Sequence, residues 1–399
     1  MEFSKPIFIL LIFAIVIISG CTGQESGKEK FFDKTQNQTF PEDVNRSIDP
    51  SQQACPENLS GFFTHHFADL EKVRNIIPLG AFGGPAHVFP PDHVYVEMKT
   101  NGTVEDAVRS PIYAPVAGRI GYIEEVLFDK KDGSPVVPEF YIPLIPCEGL
   151  QIGYNHVRNI SDKLRAAMDA VDPKWKACKN YTFEGGFTSY QCGYNVDILV
   201  KAGEQLATSP KMDLGLRNYN IQPLPFANLD RYEDDKYTLC PFDPFPDDMK
   251  EEYLKIMGDN GVFRTAEPRC GTIMLDIPGT AQGFWYGSAS GEVDLSQKIA
   301  VLAPMNYNPE ILGIGLGFAF PTQGLLRFRL RTSGTINREF SKISPSSTIY
   351  CYYNDGTGDC GAEWKILIQM TDETHLKIEQ QNGSCSGNEE FISPFNFER

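Results

Sequence analysis

Short β-type runs of apolar residues, separated by glycine and proline, make up most of the chain after its first sixty residues. Runs such as HVYVEM, LQIGYNHV, KIAVLAPM and LLRFRLR are rich in β-branched and aromatic residues, which favour strands. In KILIQMTDETHLKIEQ, two runs that alternate apolar and polar residues flank a turn, which predicts a β-hairpin. The pattern therefore predicts a mainly β protein.

Three segments predict helices instead. Ser161 to Val171 begins with a residue type favoured at the N-cap and stops before a proline, and Met249 to Met257 lies between two aspartates and a glycine. A third helix is expected near Phe62 to Ile77. It would carry His65 and His66 at the rim of the first domain.

The first residues predict export and anchoring. Lys5 precedes an apolar run from Pro6 to Ser19. This run is shorter than a membrane-spanning helix, which needs about 20 apolar residues. The tetrapeptide ISGC, Ile18 to Cys21, resembles the lipobox of prokaryotic lipoproteins, so residues 1–21 are interpreted as a lipoprotein signal peptide. The resemblance implies a lipid on Cys21 that holds the protein at the outer face of the cytoplasmic membrane or at the cell surface. An uncleaved signal anchor is the alternative, and it also exports the rest of the chain.

Composition divides the remaining chain into four parts. Residues 22–60 are polar and contain few apolar residues, which predicts a tether that cannot bury enough surface to fold alone. Residues 61–221 are predicted to form a first domain, residues 222–264 a proline-rich linker with a short helix, and residues 265–399 an all-β domain.

Charge and short motifs limit the partners. The net charge of −16 argues against nucleic acid, because binding to phosphate backbones depends on Lys and Arg. Twenty asparagines would give roughly two or three Asn-x-Ser/Thr sites by chance, and the chain has seven, which indicates glycosylation of an exported protein. These sites begin at Asn37, Asn45, Asn58, Asn101, Asn159, Asn180 and Asn382.

The cysteines predict disulfides. Nine follow the one in the lipobox, and none belongs to a CxxC pair, which excludes zinc-ribbon and thioredoxin-like sites. An exported chain favours disulfide formation. We predict one bridge between Cys178 and Cys192 and another among Cys351, Cys360 and Cys385. The odd number leaves one thiol unpaired or bonded to a partner.

Four segments of the first domain resemble, in order, the lysostaphin and LytM-type zinc metallopeptidases. The resemblance implies their fold, a β-barrel or sandwich called the duplicated hybrid motif, here with a helical insertion. The matching segments are GGPAHVFPPDHVY (Gly83 to Tyr95), SPIYAPVAGRIGYI (Ser110 to Ile123), LQIGYNHV (Leu150 to Val157) and VKAGEQLATSPKMDLGLRN (Val200 to Asn218).

The resemblance also implies site residues. In the family, a histidine and an aspartate four residues later bind zinc. His87 matches that histidine and Asp92 that aspartate, but the two are five residues apart, so His93 is an alternative ligand. His156 matches a mid-domain histidine that stabilises the transition state, which implies a catalytic role.

The last part of the family's motif is altered. A His-x-His there supplies the third zinc ligand and a catalytic histidine, and this chain has Asp213, a leucine and Gly215 instead. A catalytic zinc uses three protein ligands and an activated water. Asp213 is therefore the candidate that would complete a zinc site, and His65 and His66 are the remaining histidines that we consider.

A second resemblance concerns the C-terminal domain. The motif GFWYG, Gly283 to Gly287, resembles the signature that opens lipocalin-type barrels, and about eight strand-like runs follow it. A barrel of that size can hold one small apolar ligand. A tryptophan that only fills the barrel is the alternative.

Three functions stay open from the sequence. The first is an anchored lipoprotein whose metallopeptidase-like domain binds a cell-envelope peptide or glycan without catalysis. The second is a zinc-dependent endopeptidase that acts on envelope peptides, with zinc held by residues among His87, Asp92, His93 and Asp213. The third is a structural adaptor of the envelope.

Overall fold

The computed structural model describes residues 49–83, 88–104, 106–129, 136–182, 188–232, 234–287, 299–317, 324–353 and 364–399. The described residues are mainly β, with 44% of them in strands and 11% in helices, which confirms the predicted fold class. Cys21, His87 and Cys360 lie outside the described residues. Within these ranges, no helix is both long and apolar enough to cross a membrane.

The first half of the structure is built on an eight-stranded antiparallel sheet with the strand order β1-β2-β10-β6-β5-β4-β8-β7. Strands β3 and β9 form a separate two-stranded ladder. The ten strands are β1 Val73–Ile77, β2 His93–Met98, β3 Ser110–Tyr113, β4 Gly118–Asp129, β5 Glu139–Cys147, β6 Leu150–Val157, β7 Lys176–Thr182, β8 Thr188–Val200, β9 Gln205–Ser209 and β10 Lys211–Asn218.

Buried and more exposed side chains alternate along these strands. In β2, Val94, Val96 and Met98 are buried in the core, and the residues between them lie on the opposite, polar face of the sheet. The same alternation gives this sheet one apolar face and one face that carries polar side chains. The polar face holds the candidate site.

Two α-helices occur in the described residues. Helix α1, Asp162–Asp169, begins after Ser161 and buries Leu164 and Met168 four residues apart, which confirms the predicted insertion helix. Helix α2, Asp247–Lys255, coincides with the helix predicted in the proline-rich segment.

The helix predicted near Phe62 to Ile77 is wrong. Residues Leu70–Lys72 form a single 3₁₀ turn, and Val73–Ile77 form β1, which pairs with β2. Val73, Ile76 and Ile77 are β-branched, a residue type that favours strands. Pairing with β2, the next strand along the chain, therefore takes the place of the expected helix.

The second half contains another eight-stranded antiparallel sheet, with the order β16-β15-β14-β13-β20-β19-β18-β17. Phe328 of β16 and Tyr352 of β17, the two outer strands, have ring centroids 5.7 Å apart, so the sheet curls round its own core. Trp285 is fully buried in that core, as expected of a residue that fills the barrel. The remaining strands are β11 Gly258–Asp259, β12 Val262–Phe263, β13 Gly283–Tyr286, β14 Ile299–Pro304, β15 Ile311–Leu316, β16 Gly324–Arg329, β17 Tyr350–Tyr353, β18 Trp364–Met370, β19 His375–Asn382 and β20 Phe395–Glu398.

The segment between the two sheets is packed. Its large side chains, Phe226, Tyr232, Phe242, Phe245 and Tyr253, are buried in one apolar cluster with the first sheet. The outer face of β13 and β14 joins the same cluster. The proline-rich segment is thus part of the core that holds the two sheets together.

Four disulfides lie in the described residues. Cys178–Cys192 joins β7 to β8, and Cys351–Cys385 is the bridge expected among the last three cysteines, so both predictions are confirmed. Cys55–Cys147 attaches the segment before β1 to β5, and Cys240–Cys270 closes the segment between the sheets. The end of the predicted tether, from Asp49 onward, is therefore fixed to the first sheet.

Candidate functional site

The candidate site lies on the polar face of the first sheet, where β2, β10, β6 and β5 are neighbours. Lys211, Asp213, Gly215 and Arg217 occupy alternate positions of β10 and share this face, since the intervening residues point into the core. Asp213 is paired with Tyr95 of β2 and Asn155 of β6, and Gly215 is paired with His93.

His93 lies between two carboxylates. Its Nδ1 is 3.2 Å from Oδ1 of Asp92, and its Nε2 is 3.4 Å from Oδ2 of Asp213. Nε2 is buried and makes no hydrogen bond of acceptable geometry. Burial would lower the pKa of His93, but the hydrogen bond to Asp92 and the charge of Asp213 outweigh it and raise that pKa above its ordinary value.

A bulge in β6 brings His156 close to Asp213, on the side away from His93. Asn155 and His156 of β6 together face Tyr141 of β5, and His156 has a φ of 56°, which is rare for a residue with a side chain. Its Nδ1 lies 2.5 Å from Oε2 of Glu139, and its Nε2 lies 3.6 Å from Oδ2 of Asp213. Strained backbone of this kind occurs at functional sites. The side chain is 40% exposed, so His156 is the accessible member of the site.

Glu139 is the second buried carboxylate that contacts His156. Its Oε1 accepts a hydrogen bond from Nη2 of Arg158 at 2.9 Å and lies 3.5 Å from Nζ of Lys211. Burial would raise the pKa of Glu139, but the bond to His156 and the charges of Lys211 and Arg158 lower it to about 2. Glu139 is thus held as a carboxylate that orients the imidazole of His156.

Arg217 neutralises the other end of the site. Its Nη2 lies 2.6 Å from Oδ2 of Asp92 and 3.3 Å from Oδ1 of Asp235. Burial would raise the pKa of Asp92, but Arg217 and His93 lower it to about 2. The pKa of Asp235 is raised to about 6, chiefly by burial and by the nearby charge of Asp92. One guanidinium is thus shared by the carboxyl groups of Asp92 and Asp235, and that of Asp235 is the more exposed.

The structure brings together four of the residues proposed from the sequence: Asp92, His93, His156 and Asp213. His66 lies elsewhere, with its Nδ1 2.8 Å from the hydroxyl of Tyr253 in α2. His65 contacts Thr64.

The sequence reasoning missed Glu139, Arg158, Arg217 and Asp235. A signal for Arg217 was present, because a strand that presents Asp213 on one face must present the residues two and four positions later on that face. Glu139 and Asp235 had no such signal. They reach the site through strand order and through the packing of the segment after β10, neither of which is visible in the chain.

The described residues do not fit a zinc site of the metallopeptidase type. Both oxygens of Asp92 already have partners, His93 and Arg217. Gly215 has no side chain, although a Cβ built on it would lie 3.7 Å from Oδ2 of Asp92. The guanidinium of Arg217 therefore supplies the positive charge that Asp92 would otherwise share with a metal.

One other group of metal-ligand atoms is compact. Among the described residues, only the sulfurs of Cys351 and Cys385 and a carboxylate oxygen of Glu389 form a set of three in which all atoms lie within 4.8 Å of one another. The two cysteines form a disulfide with each other, so they offer no thiolate to a metal.

Comparison with known proteins adds no family. No protein-family model, curated protein or solved structure matches this chain.

Proposed function

We propose that this chain is an exported lipoprotein, anchored through Cys21, whose first domain binds a cell-envelope peptide or glycan without cleaving it. The resemblances to lipoproteins and to the zinc metallopeptidases support the export and the fold. The arrangement of side chains on the polar face of the first sheet supports the loss of catalysis.

The observation that carries the proposal is the ion pair between Arg217 and Asp92. Its atoms are 2.6 Å apart, and the two side chains are only 9% and 18% exposed. A buried carboxylate paired in this way is neutralised and is not available to a metal. With Asp92 paired to Arg217 and no side chain at Gly215, two of the positions at which the resemblance implies zinc ligands do not offer one.

The remaining polar groups support binding. His156 is accessible and is oriented by Glu139, so its imidazole, when protonated, can donate a hydrogen bond to an incoming acceptor. Carbonyl and hydroxyl oxygens of peptides and glycans are such acceptors. Fixed, preorganised donors of this kind favour binding because little ordering cost is left to the complex.

Zinc content tests the absence of catalysis. The full chain is stripped of metal, equilibrated with micromolar zinc and measured for bound metal, beside an Asp213→Asn variant. We expect no stoichiometric zinc in either protein. One zinc per chain that is lost in Asp213→Asn would overturn the proposal and favour the zinc-dependent endopeptidase instead.

Co-sedimentation with insoluble envelope material from the same cells tests the ligand. Wild type is expected to sediment with the material, and His156→Gln is expected to lose most of that binding. His375→Gln is the matched control, because His375 is an exposed histidine of the second sheet that pairs with Asp372. Equal binding by wild type and His156→Gln would remove the candidate site from the interaction and favour a structural adaptor.

A further inference from the structure

The Asn-x-Ser/Thr sites share one structural property. Seven occur in the chain, and the five in the described residues all have an exposed asparagine, whereas the first two lie outside those residues. The five are Asn58, Asn101, Asn159, Asn180 and Asn382.

Exposure is not general among the asparagines of this chain. Seventeen asparagines are described, and the twelve outside such sites comprise five exposed, three half-buried and four buried residues. Asn75, Asn218, Asn306 and Asn337 are the buried ones, and two of them donate side-chain hydrogen bonds to backbone carbonyls across the fold. The asparagines of the five described Asn-x-Ser/Thr sites are thus all exposed, whereas seven of the other twelve are half-buried or buried.

Most of the five asparagines also lie in turns. The side-chain oxygen of Asn58 accepts a hydrogen bond from the N–H of Ser60, which folds the site into a tight turn. Asn101 lies in the connection from β2 to β3, and Asn159 follows β6 with a φ of 47°. Asn382 ends β19 and precedes Gly383, whose φ is 92°. Turns and strand ends of this kind lie at the surface, where a modifying enzyme can reach the exposed side chain.

Asn180 lies in a strand and not in a turn, but it is also exposed. It lies in β7, the last strand of the first sheet, whose other side has no strand partner within that sheet. Unpaired edge strands invite association with other chains, and a bulky polar group on such a strand blocks it. A glycan at Asn180 would cover this edge.

We propose that Asn58, Asn101, Asn159, Asn180 and Asn382 are acceptor sites for N-linked glycans. The donor is a sugar activated by a phosphate leaving group, and a transferase of the exporting cell is the catalyst. The side-chain Nδ2 forms a bond to the anomeric carbon and loses one proton. The bond from that carbon to the phosphate oxygen breaks, and the phosphate leaves with the electron pair.

Mass spectrometry of glycopeptides tests the proposal on the full chain purified from its own cells. Peptides that contain the five asparagines are expected to carry sugar masses, whereas peptides with the exposed asparagines Asn220 and Asn260, which lack the motif, are expected to be unmodified. Unmodified peptides at all five positions would overturn the proposal, and so would sugar on Asn220 and Asn260 at the same level.

Paired variants separate the motif from the surrounding surface. Ser60→Ala and Ser384→Ala remove the hydroxyl of their sites and leave the asparagine in place, whereas Ser60→Thr and Ser384→Thr keep a hydroxyl. Both serines are exposed, so all four variants are expected to fold. The sugar mass at Asn58 or Asn382 should disappear only in the alanine variants. Its persistence in them would show that the attachment does not depend on the motif.

Discussion

Nη2 of Arg217 lies 2.6 Å from Oδ2 of Asp92, although the two residues are more than a hundred positions apart in the chain. The pair is almost completely buried on the polar face of the first sheet. It fixes the guanidinium of Arg217 against the carboxylate of Asp92, and it makes the electrostatics of the site testable without knowledge of the ligand.

Removal of Arg217 should destabilise the protein strongly. Arg217→Met leaves the carboxylate of Asp92 buried without its partner, so the free energy of unfolding should fall by about 3–5 kcal/mol. Urea denaturation measures this change. Adding Asp92→Asn to the variant should restore part of the loss, because the unpaired charge is then gone.

The control for that experiment is Arg269→Met. Arg269 and Glu251 form an ion pair that is far more exposed, with side-chain exposures of 28% and 46%. The control should lose much less stability than Arg217→Met. Equal losses would mean that the buried pair is not held as described.

A zinc site should be obtainable by substitution. Gly215→His combined with Arg217→Ala frees Asp92 and adds an imidazole next to it, since a Cβ at Gly215 would lie 3.7 Å from Oδ2 of Asp92. We expect the double variant to bind zinc at micromolar concentration and to gain thermal stability with it. Isothermal titration calorimetry and the Tm with and without zinc measure this.

Gly215→His alone is the matched control for the zinc experiment. It keeps Arg217 on Asp92, so it should bind zinc much more weakly than the double variant. If neither protein responds to zinc, the position of Gly215 relative to Asp92 is not that of a metal ligand.

Stability should fall steeply in acid. The pKa values of Asp92 and Glu139 are both lowered to about 2, below the ordinary values of 3.8 and 4.5. A carboxyl whose folded-state pKa is depressed contributes stability that is present above its ordinary pKa and is lost as the pH falls through the folded-state value. Since a tenfold change in a protonation equilibrium corresponds to about 1.4 kcal/mol, Asp92 should contribute about 2.5 kcal/mol and Glu139 about 3.5 kcal/mol.

Urea denaturation between pH 5 and pH 2 measures the acid effect. Asp92→Asn and Glu139→Gln should each be less stable than wild type at pH 5 and should lose less further stability down to pH 2. An unchanged acid profile in both variants would contradict the described pairing of these carboxylates.

His93 should act with the opposite sign. Its folded-state pKa is raised, so its contribution is complete below the ordinary value of 6.5 and is lost as the pH rises through the raised pKa. His93→Gln should therefore flatten the decline of stability above neutral pH. Thermal unfolding measured from pH 6 to pH 9 tests this, and an identical slope in the variant would be the contrary result.

The disulfides should differ in their contributions. Cys55 and Cys147 are 92 residues apart, whereas Cys178 and Cys192 are 14 apart. Closing a longer loop restricts the unfolded chain more, so replacing Cys55 and Cys147 by serine should cost about 1–2 kcal/mol more than the same change at the short loop. Denaturant unfolding of the two double-serine variants compares them directly, and equal stabilities would argue against a loop-closure effect.

The sequence by itself determined those features that depend on neighbouring residues. Alternating apolar positions predicted the strands, Ser161 marked the start of α1, and Cys178 with Cys192 bracketed a short loop that the structure shows as a β7–β8 hairpin. In each of these cases the responsible interaction spans few residues. Asp213 and His156 were assigned to one site by the family resemblance instead, and the structure places Nε2 of His156 3.6 Å from Oδ2 of Asp213.

Only the tertiary structure decided which side chain pairs with Asp92 and which one orients His156. The pairing of Arg217 with Asp92, and of Glu139 with His156, depends on strand order, on register and on the bulge in β6. These arise from packing between distant segments, and a shift of one residue would turn every side chain to the opposite face. The sequence pattern does not give the distance between such segments. Only the folded chain therefore shows that Asp92 is paired with the guanidinium of Arg217.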